Sequence, residues 1–210
     1  FFGLRFSVGP AVLIPRQETE ELVAWALEYL KQCPVETPDV LDIGLGSGCI
    51  GITLKKKMPR IRLSGVETCP EALSVAIQNA EKILGAGQFV FSLCNILQRS
   101  NWAQFSQFDL LISNPPYIPE SEMNKVPRHV SAFEPGIALF VKKDDPLIFY
   151  RVIAEFSLEK LRPGGALFFE CNEFNAVKVA ELMQEFDFAD VELRKDIAGA
   201  DRMLRALKTL

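Results

Sequence analysis

The chain has 210 residues, 49% hydrophobic and 24% charged, with a formal net charge of −4. That length buries a full core without staples and suits one large domain, or one domain with an appendage. The acidic balance excludes a general attraction to nucleic acid, and no apolar run approaches the length of a membrane span. Five cysteines, at 33, 49, 69, 94 and 171, form no CxxC pair, and His129 is the single histidine, so no metal site is expected. Scattered cysteines in odd number indicate reduced thiols and a cytoplasmic setting. The chain opens at Phe1 and not at methionine, so a preceding signal or domain is expected and an organellar destination stays open.

Residues 1–14 alternate loosely and carry Gly3, Gly9 and Pro10, which predicts a short β-hairpin leading into the domain. Pro15-Arg16-Gln17-Glu18-Thr19-Glu20 opens a helix, with acidic residues at the positive end of its dipole. Leu22, Val23, Ala26, Leu27 and Leu30 recur at helical spacing and form one apolar face. Arg16 reads either as a surface charge or as a residue that closes over a site from the linker. Val40-Leu41-Asp42-Ile43 is a strand, and Gly44-Leu45-Gly46-Ser47-Gly48 follows it at once, before a helix over 49–57. Missing side chains let a ligand approach the backbone, and a helix N-terminus offers free N–H groups. The spacing is GxGxG and not the GxGxxG of the dinucleotide fingerprint, which argues against NAD. Lys55-Lys56-Lys57 reads as a solvated helix end.

A second strand over 61–66 ends at Glu67, roughly twenty residues beyond the glycine turn, where an acid binds ribose hydroxyls in doubly wound folds. Pro70 starts a helix that runs to Leu84, and Gly85 and Gly87 stop it. A third strand over 88–93 delivers Asn95 and Ile96 to positions that flank an adenine. A connection containing Trp102 leads to a fourth strand, Phe108-Asp109-Leu110-Leu111-Ile112. The polar segment 118–143 holds His129 and Phe133-Glu134-Pro135; loops this long are commonly functional, and a substrate-facing lid is expected. His129 reads as a loop surface residue rather than a base. A helix over 144–161, a turn at Arg162-Pro163-Gly164-Gly165, a strand over 166–170, a helix over 173–186 and strands over 188–195 and 202–207 complete the chain. The last two strands have no helix between them and must run antiparallel. The fold class is α/β: a Rossmann-like, mostly parallel sheet of seven strands with an antiparallel last strand and helices on both faces.

The fourth strand runs into Ser113-Asn114-Pro115-Pro116-Tyr117. Two consecutive prolines forbid helix and ladder pairing, so the strand ends there and presents Asn114 at its carboxyl end, the edge where open α/β sheets bind ligands. The Asn114 amide oxygen and the Pro115 carbonyl are two acceptors on stiff backbone. They suit a planar NH2 group with two donors, and Tyr117 can pack against that plane. An ordinary Asn-Pro turn is the structural alternative.

Gly44 to Gly48, Glu67 and Asn114 to Tyr117 occur in order at strand ends, and together resemble class I S-adenosylmethionine-dependent methyltransferases of planar nitrogens. With Leu13-Ile14-Pro15-Arg16-Gln17-Glu18-Thr19-Glu20, Phe133-Glu134-Pro135 with Ala138-Leu139, and Asp196, Gly199, Asp201 and Arg202, the chain is similar over essentially its whole length to the peptide-chain release factor glutamine methyltransferases, PrmC or HemK. The resemblance implies transfer of a methyl group from S-adenosylmethionine to the glutamine side-chain amide in the Gly-Gly-Gln motif of release factors. It implies release factors as protein partners, with no stable nucleic-acid binding and no membrane. Residues 1–16 are then the hairpin linker from an N-terminal helical domain, and 17–210 the methyltransferase domain. Gly44, Leu45, Gly46, Ser47, Gly48, Glu67, Asn95, Ile96 and Asn114 are the implied cofactor residues. Asn114, Pro115, Pro116 and Tyr117 are the implied catalytic residues, and they bind substrate together with Arg16. Leu45 stands where the family commonly has threonine, Asn95 where it has aspartate and Asn172 where it has glycine; these bear on cofactor affinity. Two other readings stay open. A nucleic-acid amino-methyltransferase needs base extrusion and a basic surface, and a non-catalytic cofactor-binding scaffold has no need of the Asn-Pro-Pro-Tyr turn.

Overall fold

A computed structural model describes residues 1–119, 140–141 and 145–209. Helix α1 spans Gln17–Gln32, followed by β1 (Asp39–Ile43), α2 (Cys49–Lys57), β2 (Arg62–Glu67), α3 (Pro70–Leu84) and β3 (Phe89–Leu93). A 3-10 turn at Arg99–Gln104 precedes β4 (Phe108–Ser113) and two short strands, β5 (Ile118–Pro119) and β6 (Phe140–Val141), which pair with each other. Helix α4 (Ile148–Lys160), β7 (Leu161–Glu170), α5 (Ala176–Glu185), β8 (Ala189–Lys195) and β9 (Asp201–Leu207) follow. The main sheet has seven strands in the order β3-β2-β1-β4-β7-β9-β8. The first five run parallel, and β9 lies antiparallel between β7 and β8. This is the expected architecture.

Side-chain alternation along the central strands builds two cores. Val40, Leu110, Ile112, Ala166, Phe168 and Met203 face α1 and α2 on one side. Leu41, Ile43, Leu111, Leu167, Phe169 and Leu204 face α4 and α5 on the other. Strand β4 is buried over all six residues, so its sequence is a near-continuous apolar run, as burial of both faces requires. At the amino edge, Arg162 bridges Asp39 and Asp109 at 2.8 and 2.6 Å, which fastens β1, β4 and β7 at the end opposite their carboxyl edge.

Three local expectations need correction. The hairpin expected in residues 1–14 is not formed, and residues 1–16 contain no strand. Their backbone is claimed by side chains instead. Asn79 accepts from Ser7 N–H at 2.8 Å and donates to Ser7 O at 2.9 Å, a reciprocal pair that replaces a neighbouring strand. Arg162 to Gly165 is not a turn before a strand but a bulge inside β7, because Leu161 already pairs with Phe108 and pairing resumes at Leu110 with Ala166. Gly164 takes a φ of 74°, which lets the bulge close. Helices α4 and α5 begin later than the spacing suggests, at Ile148 and Ala176. His129, Phe133-Glu134-Pro135, Ala138-Leu139 and most of the expected lid lie outside the described residues. Among the described residues no helix is long and apolar enough to cross a membrane.

Candidate active site

Strand register sets the site. Ile43 pairs with Val66 on one side and Ser113 on the other, and Ser113 pairs with Phe169. The next residue of each strand therefore lies on one rung: Glu67 and Glu170, the last paired residues of β2 and β7, and Gly44 and Asn114, the first residues beyond β1 and β4. Two bonds lock that rung. Ser113 Oγ donates to Ile43 O at 2.7 Å, and Gly44 N–H donates to Val66 O at 2.9 Å. A chain whose residues are 70 apart in sequence here is fixed within one hydrogen bond.

Above the rung lies a cavity of about 740 Å³. Its wall includes Gly44, Leu45, Gly46, Ser47, Glu67, Asn95, Ile96, Asn114, Pro115, Pro116 and Arg16. Gly48 and Tyr117 do not line it. Gly48 instead caps α2 with a φ of 77°, and a Cβ there would meet Ile52 Cδ1 at 2.6 Å. Tyr117 packs against the α4-side core, close enough to Glu170, Arg202 and Arg16 to feel their charges. Burial pushes its phenol well above its ordinary value.

The glycine turn leaves open space at its backbone. Gly44 and Gly46 have φ of 79° and 52°, and a Cβ on either would project into open space. Glu67, 9% exposed, is held in one orientation by three backbone donors. Its Oε2 accepts from Gly46 N–H at 2.9 Å, and its Oε1 from Thr68 and Cys69 N–H at 2.8 and 3.0 Å. A carboxylate has about four lone-pair sites, so acceptor capacity remains for a ligand hydroxyl. Beneath the turn, Asp42 is fully buried; its Oδ2 accepts from Gly51 N–H at 2.8 Å, and its Oδ1 has no partner among the described residues. Burial, with the Glu67 charge adding to it and the Gly51 bond opposing it, raises the Asp42 carboxyl to about 8. Next to Asn95, Trp102 donates to Ile96 O at 2.8 Å, which braces that wall.

Behind Asn114 stands Glu170, 2% exposed. It accepts from Thr19 Oγ1 at 2.6 Å and is hydrogen-bonded to the Asn114 side chain. Desolvation raises its carboxyl to about 7 against the pull of Thr19, Arg202 and Asn114. Neither Thr19 nor Glu170 stands out as a site residue in the sequence. Thr19 sits on the apolar face of α1, three and four residues before Leu22 and Val23. Glu170 is a charge closing the run Ala166-Leu167-Phe168-Phe169. A polar group on an apolar stripe was the available signal in both cases. Val12, Leu13, Pro15 and Cys94 also line the cavity, so the segment before α1 is part of the wall.

A family model described as the methyltransferase small domain matches residues 24–130. The chain is 41% identical over 206 residues to a release factor glutamine methyltransferase of Flavobacterium psychrophilum, covering 98% of this chain and 71% of that protein. It is 40% identical over 209 residues to a release factor glutamine methyltransferase of Bacteroides thetaiotaomicron, covering 98% of this chain and 72% of that one. A solved protein-(glutamine-N5) methyltransferase, release factor-specific, from Alicyclobacillus acidocaldarius superposes with a TM-score of 0.56 at 25% identity, covering 94% of this chain and 95% of that one. With these relatives spanning nearly its whole length, the chain belongs to the release factor glutamine methyltransferase family of methyltransferases.

Proposed function

We propose that this chain uses S-adenosylmethionine to methylate the side-chain amide nitrogen of the glutamine in the Gly-Gly-Gln motif of release factors. One observation carries the reading. Glu67, the glycine turn and Asn114 lie on one rung at the ends of neighbouring strands and line one cavity. That cavity fits the cofactor: open space faces Gly44 and Gly46 for an amino-acid end, and the pinned Glu67 carboxylate awaits ribose hydroxyls. Asn95 and Ile96 supply an adenine wall. When bound, S-adenosylmethionine provides an electrophilic methyl group.

The chain's own work is orientation. An amide nitrogen is a poor nucleophile because its lone pair is delocalised. Asn114 Oδ1 and the Pro115 carbonyl accept the two N–H bonds of the target amide and hold its nitrogen for attack. Such positioning can lower a barrier by roughly 7–11 kcal/mol at best. The same acceptors stabilise positive charge that develops on the nitrogen, and the proton leaves late, to solvent. Val12, Leu13 and Pro15 add apolar wall to the same cavity. A cytoplasmic setting follows from the substrate. Incubation with methyl-labelled cofactor tests the reading, with a release factor, duplex DNA and RNA as parallel acceptors. Label in the release factor alone is expected; label in nucleic acid would replace this reading with a base amino-methyltransferase.

A further inference from the structure

Within the methyl-transfer reading, and resting on it, we propose that Glu170 is a positioning residue whose ionised carboxylate holds the Asn114 amide with its oxygen turned into the cavity. An ionised carboxylate has no proton to give, so the end of Asn114 that meets it must be the NH2 group. Oδ1 then faces away, toward the cavity that Asn114 lines. Asparagine alone has no such preference, because its two ends are nearly the same shape. Without an orienting partner the amide can present NH2 to the substrate NH2, donor against donor, and the nitrogen is not held.

Thr19 fixes the carboxylate in turn, donating from Oγ1 at 2.6 Å across 151 residues of sequence. Tyr150 Oη donates to the Glu170 main-chain oxygen at 3.1 Å, which pins the end of β7. Among the described residues, the groups facing Glu170 come from several elements. They are Glu18 and Thr19 of α1, Cys49 of α2, Asn114 and Tyr117 of the turn after β4, Tyr150 of α4, Cys171 of its own chain segment and Arg202 of β9. Arg202, ion-paired to Asp196 at 3.1 Å, is the only cation among them. Burial raises the Glu170 carboxyl to about 7, so the group changes charge near neutrality. When protonated it carries one O–H donor, and that donor satisfies itself on Asn114 Oδ1 if the amide turns over. Protonation thus reverses Asn114.

The test pairs kinetics with a direct view of the amide. Single-turnover methylation of a release factor, at saturating cofactor, is measured from pH 5.5 to 8.5 for the full chain. The rate should rise through a midpoint near neutrality and fall about tenfold per pH unit well below it, with cofactor affinity unchanged. Glu170→Gln, which cannot ionise, should flatten the profile. Thr19→Val, which removes one donor to the carboxylate, should move the midpoint to higher pH. In protein labelled with 15N-asparagine, the side-chain amide signal absent from Asn114→Ser should titrate with the same midpoint, and should stop titrating in Glu170→Gln. An Asn114 signal indifferent to pH, or a Glu170→Gln profile that keeps the wild-type midpoint, overturns the inference while leaving methyl transfer intact. A titrating amide in a chain that methylates nothing supports the Glu170–Asn114 coupling and strikes the methyl-transfer reading instead.

Discussion

Two side chains carry opposite ends of the account, and each can be removed alone. Asn114 is half-buried at a strand end, outside both cores, so Asn114→Ala should keep the fold, lower the melting temperature only by the lost hydrogen bond to Glu170, and abolish most single-turnover methylation. Asn114→Asp keeps the shape and one inward oxygen, yet it sets a carboxylate against Glu170. Two carboxylates at one site cannot both ionise freely. Above neutral pH the aspartate variant should therefore be nearly as slow as the alanine variant, and a rate close to wild type would show that Glu170 does not face this side chain. Glu67 serves the cofactor end. Glu67→Gln loses the charge and brings an NH2 group against backbone donors at Gly46 or Thr68. Titration calorimetry with S-adenosylhomocysteine should show binding weakened by about 1–3 kcal/mol, the value of charge-assisted hydrogen bonds to a ribose. Equal affinity would remove Glu67 from the cofactor site.

Among the elements, the segment before α1 is the one whose role depends most on a distant partner. Asn79 of α3 is fully buried and also donates to Ser47 O at 2.9 Å, so one side chain ties that segment to the glycine turn. Asn79→Ala leaves the carbonyl of buried Ser47 unpaired, at about 1–3 kcal/mol, and releases the Ser7 backbone to solvent. Hydrogen exchange should quicken at the Ser7 amide, and cofactor dissociation should speed up because the cavity wall at Val12 and Leu13 loosens. Unchanged exchange at Ser7 would contradict this. The same segment shows what a single sequence conceals. Local chemistry made the glycine turn, the Pro-Pro stop after β4 and the proline start of α3 legible, since each is set by neighbours within a few residues. The contact of Ser7 with Asn79 spans 72 residues and that of Thr19 with Glu170 spans 151, and no periodicity encodes either. The bulge at Arg162 to Gly165 is hidden for a related reason. Its glycines signal a bend, but only pairing with Phe108 and Leu110 makes that bend part of a strand. Glu67 and Asn114 are legible because each sits beside a second local mark, the glycine turn some twenty residues back and the Pro-Pro stop, whereas Glu170 and Thr19 carry only their polarity on an apolar stripe.

At the scale of the whole molecule, the site places ionisable groups where water is scarce, and stability should register it. Asp42, raised to about 8, keeps a proton that the unfolded chain releases near 4. Glu170, raised to about 7, does the same over a narrower span. The native state then binds more protons than the unfolded state between those values, so unfolding free energy falls as pH rises through this window. Urea midpoints measured from pH 5 to 9 should decline less steeply in Asp42→Asn than in wild type, and equal slopes would show that Asp42 ionises freely. The formal charge of −4 leaves the chain without a general pull toward nucleic acid. The most direct measurement is peptide mass spectrometry of a release factor after incubation with the chain and S-adenosylmethionine. The account predicts one added methyl group on the glutamine of the Gly-Gly-Gln motif, absent when Asn114→Ala replaces the wild-type chain. An unmodified glutamine, or a methyl group that persists with Asn114→Ala, would contradict it.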